Sequence, residues 1–384
     1  MTDILIAGGG LAGSAAAIQL GRMGLSVELF ERGEFLKEKP CGEGLMPAGV
    51  AALDRLRVGH AVDGAPFWGI RYHFNGRTAE GRFPPVRGVP SVGRGFRRRD
   101  LDRALFAAAR ETPGVTAHTG ALVESALMEN GRVAGLVVSG ELRKGRLVIA
   151  ADGAHSRLRH ALRLEVPERR KRIGMRAHFQ LKPGEAHPEW VDIYLCPGYE
   201  MYVTPLRHGE LLVAALAGKE MLNGPIETHF RRWCDGTRDL SARLLGAEQV
   251  SELAVTSPLS GRASPRVLPG LVLLGDAAGF TDPITGGGMT QAFLAAELLA
   301  RHVSNGLDRA DRWIYSFDRE RETLLRDYRR LTGLMLRLAD RPNLIGGAIA
   351  TVGRFPRLFS HLLGVSGGVK RLWGGMAYPV RRGR

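Results

Sequence analysis

The stretch ILIAGGGLAGSAAAIQLGRMGLSVELFER, residues 4–32, decides the fold of this 384-residue chain. Residues 3–7 predict a short buried strand, and Gly8, Gly10 and Gly13 then match the pattern G-x-G-x-x-G. Residues 14–23 predict a helix, and residues 26–30 predict a second strand. In this pattern the first glycine permits a tight turn, the second lets a pyrophosphate approach the backbone, and the third lets the helix pack on the strand. The helix N-terminus would receive the phosphates.

Glu31 stands at the end of the second predicted strand. It follows the glycines by about twenty residues, where a carboxylate binds ribose hydroxyls. An acid at this position disfavours a 2′-phosphate, so the predicted ligand is FAD or NAD rather than NADP. A glycine pattern alone is compatible with a plain strand–turn–helix. Strand, glycines, helix, strand and acid in register favour a dinucleotide site.

Three further segments help to decide which dinucleotide is bound. RRRDLDRALFAAA, residues 97–109, places Arg98 at the start of an amphipathic helix. VIAADGAHSRLRHAL, residues 148–162, places Asp152 after a buried strand, where it caps the next helix, contacts the ligand, or does both. LVLLGDAAGFTDPITGGGMTQAFLAAELLA, residues 271–300, leads from a buried strand through Asp276 to three glycines at the start of a helix.

Together these segments resemble the flavoprotein family built on the para-hydroxybenzoate hydroxylase fold, which also includes geranylgeranyl reductases and flavin halogenases. The resemblance runs from the first strand to position 330 or so and implies that the ligand is FAD. It implies that Arg98 reaches the ribityl–phosphate region, that Asp276 binds a ribityl hydroxyl, and that the Val123 backbone lies at the adenine. Residues 286–289 would face the pyrimidine end of the flavin, where helix amides stabilise the negative charge of the reduced ring. The expected FAD contacts are Gly8, Gly10, Leu11, Ala12, Gly13, Glu31, Arg32, Cys41, Gly42, Arg98, Val123, Asp152, Gly275, Asp276, Gly286, Gly287, Gly288 and Met289.

Length and strand patterning predict more than one domain. The chain exceeds the roughly 250–300 residues at which a single core stops growing. The predicted fold class is α/β: a Rossmann-like FAD-binding domain with a three-layer ββα sandwich, an antiparallel-sheet substrate domain and C-terminal helices. We expect the FAD-binding domain at 1–68, 96–168 and 263–330, the substrate domain at 69–95 and 169–262, and the helical region at 331–384. Alternating apolar runs at 176–182, 190–195, 199–206 and 210–216 predict strands of the substrate domain.

Two segments bear on catalysis. EKPCGEGLMPAGVAAL, residues 38–53, resembles a loop of the geranylgeranyl reductases that would pass the face of the flavin. PGYEMYVTPL, residues 197–206, resembles their P-G-Y-x-W-x-F-P signature but has Tyr202 at the Trp position and Thr204 at the Phe position. The halogenase tryptophan motif is absent from the sequence. Cys41 and Tyr202 are the catalytic candidates, each with a plain packing alternative, and His178 receives no role.

The charge pattern suggests anionic partners. The net charge of +15 favours them, but no nucleic-acid-binding pattern occurs, so no nucleic acid is expected. Residues 341–384 place apolar side chains at helical spacing among basic ones. This pattern predicts helices that pack on the two domains or against another subunit, or that bind a membrane surface or a lipid tail. With three scattered cysteines, no metal site, no signal peptide and no bilayer-spanning stretch, we expect a cytoplasmic protein.

Two functions stay open. The pattern favours an FAD-dependent monooxygenase that hydroxylates an apolar or aromatic small molecule through a flavin C4a-hydroperoxide. The alternative is a reductase of isoprenoid double bonds, similar to the geranylgeranyl reductases. No second nucleotide pattern occurs in the sequence, so NADH or NADPH would bind transiently as the reductant. A non-catalytic FAD-binding protein is the third hypothesis.

Overall fold

The computed structural model describes residues 1–34, 39–168 and 170–375. The strands in this part of the chain are β1 (Thr2–Ala7), β2 (Val27–Phe30), β3 (Gly44–Leu45), β4 (Ala65–Phe67), β5 (Gly69–Phe74), β6 (Arg77–Arg82), β7 (Gly93–Gly95), β8 (Val115–His118), β9 (Val123–Glu129), β10 (Arg132–Val138), β11 (Glu141–Ala150), β12 (Glu165–Val166), β13 (Arg172–Gln180), β14 (Val191–Cys196), β15 (Tyr199–Pro205), β16 (Glu210–Gly218), β17 (Glu248–Gln249), β18 (Ala254–Thr256), β19 (Gly261–Ala263), β20 (Val267–Leu268), β21 (Leu271–Leu273) and β22 (Gly279–Phe280). The α-helices are α1 (Leu11–Gly21), α2 (Pro47–Arg55), α3 (Arg98–Arg110), α4 (Arg157–Ala161), α5 (Ile226–Gly236), α6 (Arg238–Arg243), α7 (Gly288–Val303), α8 (Ala310–Ala339), α9 (Pro342–Arg354) and α10 (Pro356–Ser366).

The first sheet carries the glycine turn. Its order is β20-β21-β11-β1-β2-β8, and the pairs from β21 to β8 are parallel. Alternate residues of β1 face opposite layers: Ile4 and Ile6 pack with α1, α3 and α7, whereas Leu5 and Ala7 pack with β9 and β10. Both faces of the parallel sheet are therefore covered, as its continuous apolar strands require. This three-layer arrangement confirms the predicted Rossmann-like α/β class.

The second sheet has the order β17-β13-β16-β15-β14-β5-β6. The four alternating runs form β13 to β16, as predicted, and β14 pairs with β5 in parallel. One face packs under α5 and α6. The other face carries Tyr72, Ile193, Tyr202 and Leu212 and faces α9 and α10. We call this second surface the apolar face.

The positions of the helices and strands bear on two of the predicted domain boundaries. Helix α8 runs through the boundary at 330, because its buried side continues from Trp313 to Leu331 and Thr332. Strand β7 pairs with β3 and β4 in a small separate sheet. The insertion at 69–95 therefore contributes only β5 and β6 to the second sheet.

The C-terminal helices pack against the rest of the chain. Ile345, Ile349, Phe359 and Leu363 are buried in the same cluster as the apolar face. The inner sides of α9 and α10 therefore pack against the second sheet. Among the described residues, the helices are too short or too polar to cross a bilayer.

Candidate active site

The glycine turn has the geometry that its pattern predicts. Gly8 has φ +100°, and a Cβ there would lie 2.4 Å from the Ala151 carbonyl oxygen. A Cβ on Gly13 would lie 1.9 Å from the Gly8 oxygen, so the helix can approach the turn only through a glycine. A Cβ on Gly10 would meet nothing closer than Lys39 Nζ at 3.7 Å. The backbone at Gly10 therefore borders open space, where a pyrophosphate can approach.

Glu31 is held against this turn. Its two carboxylate oxygens accept hydrogen bonds from the backbone N–H of Gly9 and of Gly33, both at 2.9 Å. Each oxygen keeps a further lone pair for a ribose hydroxyl. Leu11 is buried at the start of α1, and Arg32 is exposed beside Glu31.

Asp152 contacts the start of α4 through one carboxylate oxygen and, in the described part of the chain, leaves the other unpartnered. Its Oδ2 accepts from the Leu158 N–H at 3.3 Å, while Ser156 is the N-cap of α4. Its Oδ1 is buried and has no hydrogen-bond partner within the described ranges. A buried carboxylate oxygen without a donor marks a place where a ligand donor fits.

The loop containing Asp276 closes on the same turn. A Cβ on Gly275, which has φ +59°, would lie 2.8 Å from Ala12 Cβ. The Asp276 side chain is exposed, yet protein surrounds it closely enough that burial raises the pKa of its carboxyl. The positive charges of Arg98, Arg159 and Arg321 oppose this rise. The segments at 4–32, 97–109 and 271–300 thus border one cleft.

Two cations flank this cleft at the start of α3. Arg98 donates to Asp102 at 3.2 Å, and Lys39 Nζ lies 2.7 Å from the other Asp102 oxygen. Burial lowers the pKa of Arg98, but the neighbouring Asp102 and Cys41 raise this pKa by more. The guanidinium therefore stays charged. Lys39 lies nearest to the open space at Gly10, and the sequence pattern did not single it out.

Val123 lies at the start of β9, buried in the cluster that includes Phe30 at the end of β2. This places it near the end of the strand that Glu31 follows. The contact of Val123 with an adenine stays a prediction.

The glycines before α7 differ in what they face. Asp282 caps the turn at Pro283–Thr285, Gly286 has φ +70°, and α7 begins at Gly288. Nothing lies within 4 Å of a Cβ on Gly288, and the first amides of a helix have no partner inside it. These amides and that of Met289 remain suitable for the flavin.

Gly287 departs from the expectation. Its N–H donates to Tyr328 Oη at 3.2 Å, and a Cβ on it would lie 2.4 Å from the Tyr328 ring. This glycine therefore lets the loop pack against α8, and its amide donates to Tyr328 rather than to a ligand.

The cysteine loop is held from two sides. Cys41 Sγ accepts from the Glu43 N–H at 3.3 Å and also contacts the Arg98 guanidinium. Thr204 Oγ1, on β15, donates to the Gly42 carbonyl at 2.8 Å. Cys41 and Gly42 therefore lie where the cofactor cleft meets the second sheet.

A buried polar network supports this loop from beneath. Glu43 has φ 56°, and its Oε1 accepts from the Arg98 N–H at 2.9 Å. Its Oε2 lies 2.9 Å from His178 Nε2, and both side chains are fully buried. Arg176 can only donate, and its Nη1 lies 3.1 Å from His178 Nδ1, so the ring carries its proton on Nε2. The sequence pattern assigned no role to Glu43 or His178.

Tyr202 lies in the wall beside the glycine loop. It is buried in the apolar face, and its hydroxyl donates to the Ile284 carbonyl at 3.3 Å. Burial raises its pKa well above the ordinary value, and the nearby Glu200 adds to this effect. The side chain thus holds the second sheet to the loop.

A buried carboxyl lies next to Tyr202 along β15. Arg172 bonds Glu200 Oε2 at 2.5 Å and Asp282 Oδ1 at 2.8 Å. Burial raises the pKa of Glu200 to about 7, because one guanidinium must serve two carboxyls away from water. These residues are far apart in sequence, so local patterns did not reveal the cluster.

The donor set fits FAD. The open space at Gly10 suits a pyrophosphate, the unpartnered Asp152 oxygen suits a ligand donor, and Asp276 can accept from a ribityl hydroxyl. The amides before α7 suit the pyrimidine end of the flavin.

Comparisons with known proteins agree with this geometry. The family described as "FAD binding domain" matches residues 1–328. The menaquinone reductase of Mycolicibacterium smegmatis is 28% identical over 322 residues, covering 79% of this chain and 76% of that protein. The digeranylgeranylglycerophospholipid reductase of Thermoplasma acidophilum is 28% identical over 327 residues, covering 80% and 79%. A flavoprotein/dehydrogenase structure from Cytophaga hutchinsonii superimposes with a TM-score of 0.83 at 20% identity, covering 96% and 92%.

Proposed function

The chain belongs to the FAD binding domain family, which spans residues 1–328, and we propose that it is a reductase that saturates a carbon–carbon double bond of an apolar, isoprenoid-bearing substrate. It is an FAD-dependent oxidoreductase. Hydroxylation, which the sequence pattern alone favours, becomes the second candidate.

The position of Cys41 carries the proposal. Its thiol contacts Arg98 at the cofactor cleft, and the adjacent Gly42 carbonyl is bonded to β15 of the second sheet. Reduced FAD supplies a hydride, and saturation of a double bond also needs one proton. We assign this proton to the Cys41 Sγ. NADH or NADPH, bound transiently, would restore the reduced flavin, so that the overall reaction adds two hydrogens.

The apolar face supports the substrate class. Tyr72, Ile193, Tyr202 and Leu212 lie on one side of the sheet, close to Met46 of the segment that follows the cysteine loop. The face is buried beneath α9 and α10, and a hydrocarbon chain bound between the sheet and these helices would be kept out of water. The two curated relatives named above are called reductases of a menaquinone and of a digeranylgeranyl lipid. Both names fit a substrate with an isoprenoid chain.

Hydroxylation remains the second candidate because the segment at 197–206 departs from the reductase signature at Tyr202 and Thr204. A dry apolar site is also what oxygen chemistry on a flavin requires. The two reactions differ in their need for O₂ and in the mass that they add.

One experiment separates them. FAD-loaded protein is reduced without air, mixed with a menaquinone or a geranylgeranyl lipid, and the product is analysed by mass spectrometry before and after O₂ is admitted. Saturation of a double bond in the chain predicts a gain of two hydrogens without air that persists after O₂ is admitted, whereas two hydrogens gained by a quinone ring would be lost again on oxidation. A product that gains one oxygen, and only after O₂ is admitted, would replace the proposal with hydroxylation.

The role of Cys41 is tested by substitution. Cys41→Ala should keep its FAD and its reduction by NADH or NADPH, but should slow oxidation of the reduced flavin by substrate by about 10²–10⁴-fold. Cys196→Ala is the matched control, because this half-buried cysteine packs towards the opposite face of the sheet. Unchanged single-turnover rates in Cys41→Ala would remove the thiol from the reaction.

A further inference from the structure

The connection between α9 and α10 is exposed along its length. Residues 353–358 are all exposed, and they include Arg354, Phe355, Arg357 and Leu358. Phe355 is 57% exposed and Leu358 is 42% exposed. We call residues 353–358 the elbow. Large apolar side chains between arginines are typical of segments that lie in a membrane interface.

The C-terminal segment that contains the elbow carries charge of one sign. The sequence from 341 to 384 contains no aspartate or glutamate. Its described part carries Arg341, Arg354, Arg357, Lys370 and Arg371. The whole chain has a net charge of +15, so a second copy would be repelled, whereas an anionic surface would be attracted.

The same two helices cover the apolar face. Phe359, one residue beyond the elbow, packs on the Tyr72 ring at 5.7 Å between centroids. Ile345 and Ile349 of α9 and Leu363 of α10 are buried in that cluster. The inner sides of α9 and α10 therefore face the proposed substrate surface, and their junction faces outward.

We propose that the elbow docks on an anionic lipid bilayer, with Phe355 and Leu358 in the interfacial region and Arg354 and Arg357 at the headgroup phosphates. Docking at this point would bring a membrane-dissolved substrate to the helices that cover the apolar face. The docking inference goes beyond the proposed reaction and does not depend on it, because binding is measured without substrate.

The test is co-sedimentation of FAD-loaded protein with vesicles at low salt. Vesicles of phosphatidylcholine with 30% phosphatidylglycerol should bind the wild-type protein, and vesicles of phosphatidylcholine alone should bind it weakly. Arg354→Gln/Arg357→Gln should lower the partition coefficient about 20- to 30-fold, since each cation contributes about 1 kcal/mol. Phe355→Ser/Leu358→Ser should also lower the partition coefficient. The size of this loss should depend less steeply on salt than the loss caused by the arginine changes.

Matched controls carry the same changes elsewhere. Arg231→Gln/Arg238→Gln removes two exposed arginines on α5 and α6, over the opposite face of the sheet. Leu245→Ser removes a leucine that is 75% exposed. Bound FAD and the unfolding temperature confirm that each variant is folded. Failure of wild-type protein to bind anionic vesicles, or equal losses in the elbow and control variants, would overturn the proposal.

Discussion

Glu43 Oε2 lies 2.9 Å from His178 Nε2, and neither side chain reaches solvent. The two residues are 135 positions apart, and they join the cysteine loop to β13 of the second sheet. Since Glu43 also accepts from the Arg98 backbone, this carboxylate ties together the loop, the start of α3 and the sheet. A carboxylate buried in this way needs each of its donors.

His178→Ala should lower the free energy of unfolding by about 2–3 kcal/mol, because it leaves the Glu43 carboxylate without one buried donor. Glu43→Ala should also destabilise, and the double variant should cost less than the sum of the two. Urea unfolding followed by circular dichroism measures these values. His160→Ala, a matched control at an exposed histidine, should change little. Additive losses would show that the pair is not coupled.

The glycines of the first turn should separate folding from FAD binding. A Cβ on Gly10 has room in the protein, so Gly10→Val should fold but fail to hold FAD, because the side chain would occupy the space of the pyrophosphate. Gly13→Val should fold poorly, since its Cβ would lie 1.9 Å from the Gly8 oxygen. Circular dichroism and flavin absorbance distinguish the two outcomes. A folded, fully yellow Gly10→Val protein would contradict the pyrophosphate site.

The sequence predicted those features that depend on local spacing. The turn at Gly8 to Gly13, the position of Glu31 and the loop at Asp276 follow from patterns of a few residues, and each pattern requires a particular backbone shape. Four strands of the second sheet, β13 to β16, follow from alternation. The boundary expected at 330 falls inside α8, whose amphipathic pattern continues on both sides of that position.

The polar clusters at the junction could not be predicted in this way. Glu43 with His178, and Arg172 with Asp282, pair across more than 100 positions. Such contacts depend on how the two sheets meet, and an isolated histidine or glutamate in an alternating strand gives no sign of a distant partner. Gly287 shows the same limit, since only the fold reveals that its amide meets Tyr328.

Glu200 should make stability depend on pH. Burial raises its pKa from the ordinary 4.5 to about 7, so between these values the folded protein binds a proton that the unfolded chain has released. The free energy of unfolding should therefore fall as pH rises through this window, by an amount on the order of 1–3 kcal/mol. Asp282, whose pKa is also raised, acts in the same direction, and Arg172 opposes both.

Glu200→Gln isolates the first of these carboxyls. Its free energy of unfolding should vary less between pH 5 and 7.5 than that of the wild-type protein, whereas Glu141→Gln, at a 70% exposed side chain, should follow the wild type. Urea unfolding at several pH values provides the comparison. Parallel curves for wild type and Glu200→Gln would show that Glu200 does not titrate in this range.

Substrate tails of different length test the apolar face itself. If the chain of the substrate binds between α9 and α10 and the face formed by Tyr72, Ile193 and Leu212, each CH₂ removed from it should cost about 0.8 kcal/mol of binding, or about fourfold in kcat/KM. The series is measured without air, in dilute detergent and without vesicles, so that membrane docking does not contribute. Tails longer than the face should give no further gain, because the extra carbons stay in water. Equal kcat/KM for long-tailed and tail-less substrates would show that the apolar face is not the binding surface, whatever the vesicle experiment finds.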